Sequence, residues 1–125
     1  MLKDCKVGSI VFFVAKLDRS IAFYRDTLGL PVQVIDGGDG PFGLAQSGEI
    51  VLVFIARPAR VGDSPVIVFN VAGGIDDYAD ALAARGVEIV VPVSECPDGG
   101  LSIDFVDPDR NMLSIYQPAG AARRK

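Results

Sequence analysis

Val7-Gly8-Ser9-Ile10-Val11-Phe12-Phe13-Val14, followed after Ala15-Lys16 by Leu17-Asp18-Arg19-Ser20-Ile21-Ala22-Phe23-Tyr24 and closed by Leu28-Gly29-Leu30-Pro31, decides how this chain is read. The opening segment is β-branched and aromatic with no polar residue after Ser9, which predicts a strand buried on both faces. Asp18 is placed to cap a helix along which Leu17, Ile21, Tyr24 and Leu28 form one stripe. Gly29 supplies a left-handed stop, and Pro31 forbids continuation.

The same unit returns further along. Ile10-Val11-Phe12-Phe13-Val14-Ala15 matches Ile67-Val68-Phe69-Asn70-Val71-Ala72, 57 residues downstream, with five of six positions identical. Apolar strands resemble one another, so the hexamer alone says little. Carried forward without gaps, however, the shift places Gly29 on Gly86, and a matching helix stop points to a duplicated module.

Between these units the chain alternates apolar runs with turn chemistry. Val32 to Ile35 is a short strand, and Asp36-Gly37-Gly38-Asp39-Gly40-Pro41 reads as a turn, because no Lys-Ser/Thr and no helix follow to make it a phosphate loop. Phe42 to Gln46 and Ile50 to Ala56 are further strands around the turn Ser47-Gly48-Glu49. In the second half Val66 to Val71 is a strand, Ile75, Tyr78 and Leu82 stripe a helix, and Val87 to Val91 is a strand. Glu95 to Gly100 is a loop, and Leu101 to Val106 and Met112 to Tyr116 are strands around the proline turn Asp107-Pro108-Asp109-Arg110.

The expected fold is α+β, two tandem βαβββ modules in one domain spanning residues 1–125. Module 1 covers about 1–57, a linker about 58–64 and module 2 about 65–118, with a flexible tail at 119–125. Two helices cover one face of eight strands. The other face is apolar as well, so the sheet must curl around a cavity, pair with another subunit, or both.

Half of the 125 residues are hydrophobic, enough for a substantial core. The net charge of −4 includes Arg123, Arg124 and Lys125, so the chain ahead of that triplet carries −7. Nucleic acid is not an expected partner, because phosphate contacts need a clustered basic face. No apolar run approaches the roughly 20 residues of a membrane span. Cys5 and Cys96 make no disulfide framework, and no charged start with an apolar core precedes Val7, so a cytoplasmic protein is expected. There is no histidine at all.

Leu17 to Leu30 together with Phe105-Val106-Asp107-Pro108-Asp109-Arg110-Asn111 resembles the glyoxalase, bleomycin-resistance and extradiol-dioxygenase family, the vicinal oxygen chelate superfamily. The likeness covers essentially the whole chain, although Arg110 stands where the family's turn usually has Gly. The resemblance implies paired βαβββ modules, commonly a homodimer, and sites inside cupped sheets. It also implies a divalent metal held by His and Glu from the first and last strand of each module. Those positions correspond here to Ser9, Val66, Ser114 and approximately Val53, none of which is a ligand for zinc or iron.

A remade metal site would have to draw on Asp104, Glu49 or Cys96, which are more simply solvated charges and an incidental thiol. Ser9 and Ser114 have no histidine base, and neither cysteine has an evident activator. No catalytic residue, metal or cofactor is therefore assigned. Strand alternation instead gathers Ser9, Val11, Phe13, Val53, Ile55, Val66, Val68, Asn70, Met112, Ser114 and Tyr116 into an apolar ligand-binding trough with sparse polar points. Phe13 and Tyr116 are its stacking surfaces. The preferred reading is a metal-free small-molecule-binding protein that sequesters an antibiotic or other aromatic or cationic compound. The alternatives are a glyoxalase- or dioxygenase-like lyase or isomerase with a relocated metal, and a catalytically inactive scaffold.

Overall fold

The computed structural model describes residues 1–58, 60, 63–106 and 111–125. The expected turn Asp107 to Arg110, and Ala59, Val61 and Gly62 of the expected linker, lie outside them. The elements are β1 (Lys6–Val14), α1 (Leu17–Ala22), a π-helical turn (Phe23–Thr27), β2 (Val32–Gly37), β3 (Gly40–Ser47), β4 (Ile50–Ala56), β5 (Val66–Asn70), α2 (Ile75–Ala84), β6 (Ile89–Glu95), β7 (Leu101–Val106) and β8 (Met112–Gln117). This is βαβββ twice. No helix among the described residues is long and apolar enough to cross a membrane.

All eight strands form one sheet in the order β2-β3-β4-β1-β5-β8-β7-β6. Within each module the first strand runs parallel to the last, and β1 and β5 join the modules antiparallel at the centre. The halves therefore close on each other within a single chain. The pairing also repeats the internal duplication: Val11 pairs with Val53 and Val68 with Ser114, and Val11 and Val68 are equivalent positions of the repeat.

Both helices lie on one face. Phe54, fully buried, packs beneath α1 and the π-turn, with ring centroids 4.4 Å from Tyr24 and 5.9 Å from Phe12. Ile75 and Leu82 of α2 pack on Ile103, Phe105 and Ile115 of β7 and β8. Burial of such side chains stabilises by about 1.5–3 kcal/mol each. Gly29 and Gly86 both adopt left-handed φ, +74° in each case, ending the two helical segments at equivalent places.

Four details depart from expectation. The first helix begins after Lys16 with no side-chain cap, and Asp18 sits in its first turn, accepting a hydrogen bond from the Arg19 amide. The π-turn adds a residue to the helical repeat, so Leu28 leaves the stripe and is 52% exposed. The strand expected at Val87 to Val91 is displaced to Ile89–Glu95, because the Val87 amide still bonds back to Leu82 at the end of α2. As an edge strand with irregular pairing, β6 accommodates Pro92.

The tail is the fourth. Gly74 has no side chain with which to cap α2, and the C-terminal segment supplies the partners instead. Gln117, almost fully buried, accepts from the Ile75 amide at 3.0 Å, while the Ala122 and Arg123 carbonyls accept from Gly74 and Asp76. Arg123 forms a two-pronged pair with Asp76, and Arg124 bridges Asp77 and Asp80. Rather than hanging free, residues 119–125 are strapped across the first turns of α2, and Arg123 holds the Asp76 carboxyl below its usual range.

Candidate functional site

Because pairing carries side-chain direction from strand to strand, the sheet's register fixes which residues share the face away from the helices. Ser9 pairs with Val51 and Val68, Val11 with Val53 and Val66, and Phe13 with Ile55. Val68 pairs with Ser114, and Asn70 with Tyr116. Met112 follows Ser114 by alternation. All eleven residues singled out in the sequence thus lie on the helix-free face.

That face is not left flat. Val66, Val68 and Ser114 are only 5%, 7% and 4% exposed although no helix covers them. The sheet curls until its two ends meet: a Cβ built on Gly37, in the β2–β3 hairpin, would stand 2.8 Å from the Pro97 Cβ in the β6–β7 loop. At the end of the cup formed by the start of β1 and the close of β5 and β8 lies an open cavity of about 1330 Å³. Its lining includes Lys6, Gly8, Glu49, Asn70, Tyr78 and Tyr116, so it meets the predicted trough at Asn70 and Tyr116. A bulge at Gly8 shapes this corner, where a Cβ would come within 1.9 Å of the Asn70 amide nitrogen.

The polar points are more occupied than alternation suggests. The Tyr116 hydroxyl donates to Asp98 at 2.5 Å, and burial followed by this bond pushes the phenol well above its ordinary range. One face of the Phe13 ring is covered by the Arg57 guanidinium, 4.1 Å from its centroid. Asp104, set aside in the sequence as a solvated charge, is half-buried on the cupped face, paired with Ser114. Burial raises its carboxyl, while a hydrogen bond from Ser114 and the charge of Arg57 oppose the rise. Counting back along the β7–β8 hairpin from the proline turn is the signal that could have placed it.

Four positions of the cupped face carry no donor that a divalent ion needs. Ser9, Val53, Val66 and Ser114, the positions at which the resemblance implies ligands, share the cupped face and offer two hydroxyls and two aliphatic chains. Glu49 is in the β3–β4 turn at the mouth. Cys96 bonds to Ser102, and its thiol is pushed up by burial, with Asp98, Asp104 and Glu95 adding to the rise. It therefore stays a protonated thiol rather than a nucleophile at neutral pH. Among the described residues no group of three His, Cys, Asp or Glu side chains could hold a metal.

A sequence profile of the Glyoxalase/Bleomycin resistance protein/Dioxygenase superfamily matches residues 6–115. The chain belongs to this superfamily. The eight-stranded sheet and two helices also match solved structures of similar fold. The hypothetical protein BH1468 from Bacillus halodurans C-125 superimposes with a TM-score of 0.76 at 14% identity, over 96% of this chain and 99% of that one. Streptomyces coelicolor methylmalonyl-CoA epimerase, bound to 2-nitronate-propionyl-CoA, gives 0.70 at 17% identity over 93% and 96%. In sequence, the uncharacterized protein YraH of Bacillus subtilis (strain 168) is 24% identical over 127 residues, 90% of this chain and 98% of its own length. At such identities the solved structures show a shared fold alone, and function must be argued from residues.

Proposed function

We propose that this protein binds a small aromatic or cationic molecule in its cupped sheet and sequesters it without metal chemistry. The observation that carries the reading is the chemistry at the four positions where the superfamily resemblance implies metal ligands, at which Ser9, Val53, Val66 and Ser114 supply hydroxyl and aliphatic groups instead. The acidic composition ahead of the terminal basic triplet favours a cationic guest. The curled sheet and the open cavity at its end supply concave space for a ligand. Exposed Val34, Ile35, Val90 and Val91 on the two edge strands support a homodimer, in which sedimentation gives twice the 13.2 kDa chain mass.

A thermal-shift screen with aromatic and cationic antibiotics tests the reading. A ligand at about a hundred times its Kd stabilises by about 2.7 kcal/mol, a rise of several degrees for a chain this size. At least one chemical class should produce that rise. A flat response across the panel overturns the reading and leaves a scaffold without a guest.

A further inference from the structure

We infer that the open end of the cup is a binding site for an aromatic molecule that carries an ammonium and a carboxylate side by side, as an aromatic amino acid does. The inference rests on the binding reading above and names the class of guest.

Strand pairing builds the site. Lys6 on β1 pairs with Asn70 on β5, and Asn70 pairs with Tyr116 on β8, so the three side chains stand level on one face, about 5 Å from neighbour to neighbour. Lys6 lies three residues from Ser9 and by simple alternation would face the helices. The bulge at Gly8 adds the residue that turns it onto the cupped face. On the other flank of β1, Glu49 immediately precedes β4, whose Val51 pairs with Ser9. Across the strand ends the order is therefore carboxylate, ammonium, carboxamide and ring. All four line the cavity of about 1330 Å³, with Asp4 as a second carboxylate.

Two of these groups are held in place over glycines. The Asn70 carboxamide occupies the space where a Gly8 side chain would lie. The Tyr116 ring likewise lies over Gly100, 2.5 Å from a Cβ built there, with its hydroxyl tied to Asp98. The charged groups are uncommitted. Among the described residues Lys6, Asp4 and Glu49 form no ion pair, and the Asn70 carboxamide forms no hydrogen bond. A guest with only a positive charge would meet Lys6, and one with only a negative charge would meet Asp4 and Glu49. A guest with both charges answers both: its carboxylate takes Lys6 and the Asn70 amide, its ammonium takes the carboxylates, and its ring lies on Tyr116.

Protein-observed NMR titrations test the site with phenylalanine, with phenethylamine, which lacks the carboxylate, and with 3-phenylpropanoate, which lacks the ammonium. Wild type should bind phenylalanine about tenfold more tightly than either, the worth of one charge-assisted contact. Lys6→Met should abolish the preference over phenethylamine and keep that over 3-phenylpropanoate. Glu49→Gln combined with Asp4→Asn should do the reverse. All three side chains are exposed, so the variants leave the core untouched. A merely structural effect would weaken the three compounds together and overturn the site. Equal affinity of wild type for the three compounds, or preferences that neither variant moves, overturns it as well. Binding of none of them overturns the site but leaves the cup standing if the antibiotic screen gives its rise; with a flat screen both readings fall.

Discussion

Replacing Ser9 and Val66 by histidine, and Val53 and Ser114 by glutamate, is expected to turn this chain into a zinc- or nickel-binding protein with a Kd of about 1 µM or tighter, about −8 kcal/mol gained from nothing. The expectation follows from register. Ser9 and Val66 stand diagonally across the β1–β5 pair, a separation of about 7–8 Å that two imidazoles can bridge around one ion. Val53 and Ser114 lie on the strands flanking that pair, on the same face and at equivalent places of the duplication. Two imidazoles and two carboxylates then converge from four strands, a set that suits a divalent transition metal. Isothermal titration of the folded variant reads the outcome. A variant with unchanged circular dichroism and no metal affinity would mean that the four positions do not converge, and the superfamily alignment of the cup would fail with them.

The second large effect is on stability. Phe54→Ala should cost about 3–5 kcal/mol, a large share of the roughly 5–15 kcal/mol that holds a domain together. Phe54 is fully buried on the central part of the sheet, and its ring touches Tyr24 and Phe12, so truncation opens a cavity where the π-turn docks. Phe23, 48% exposed and meeting only the edge of Tyr24, is the control: Phe23→Ala should cost less than about 1 kcal/mol. Urea denaturation with matched m-values measures both. Equal costs for the two would mean that the aromatic cluster does not anchor the first helical segment.

Much of the architecture was legible because it rests on local chemistry. The glycine stops at Gly29 and Gly86 and the repeated apolar hexamer announce two modules, and strand alternation then puts Ser9, Val66, Val53 and Ser114 on one face. What local reasoning missed depends on groups far apart in the chain. The π-turn at Phe23–Thr27 is stabilised by packing of Tyr24 on Phe12 and Phe54, not by a periodicity visible in the sequence. The strap over α2 joins Arg123 and Arg124 to aspartates more than 40 residues earlier, so a basic end that looked frayed is held. Tyr116, a stacking surface by strand alternation, is tied at its hydroxyl to Asp98, a residue 18 positions earlier. Asp104 was the consequential miss. Its pairing with Ser114 puts it on the inside of the cup, where the carboxylate is half-buried rather than solvated.

The stability cost of that carboxylate has a sign that can be checked. A carboxyl raised in the folded state binds its proton more tightly there than when unfolded, so folding gains as pH falls through the raised titration and loses as pH climbs above it. Asp104→Asn should therefore unfold at a higher temperature than wild type near pH 7, with the difference shrinking as the pH is lowered.

The claim on which the rest depends is that this cup works with hydroxyl and aliphatic groups where its relatives place ligands for an ion. Elemental analysis of protein purified without any chelator measures it directly. Zinc, nickel, manganese and iron should each be far below one ion per chain; a stoichiometric amount of any of them would contradict the account.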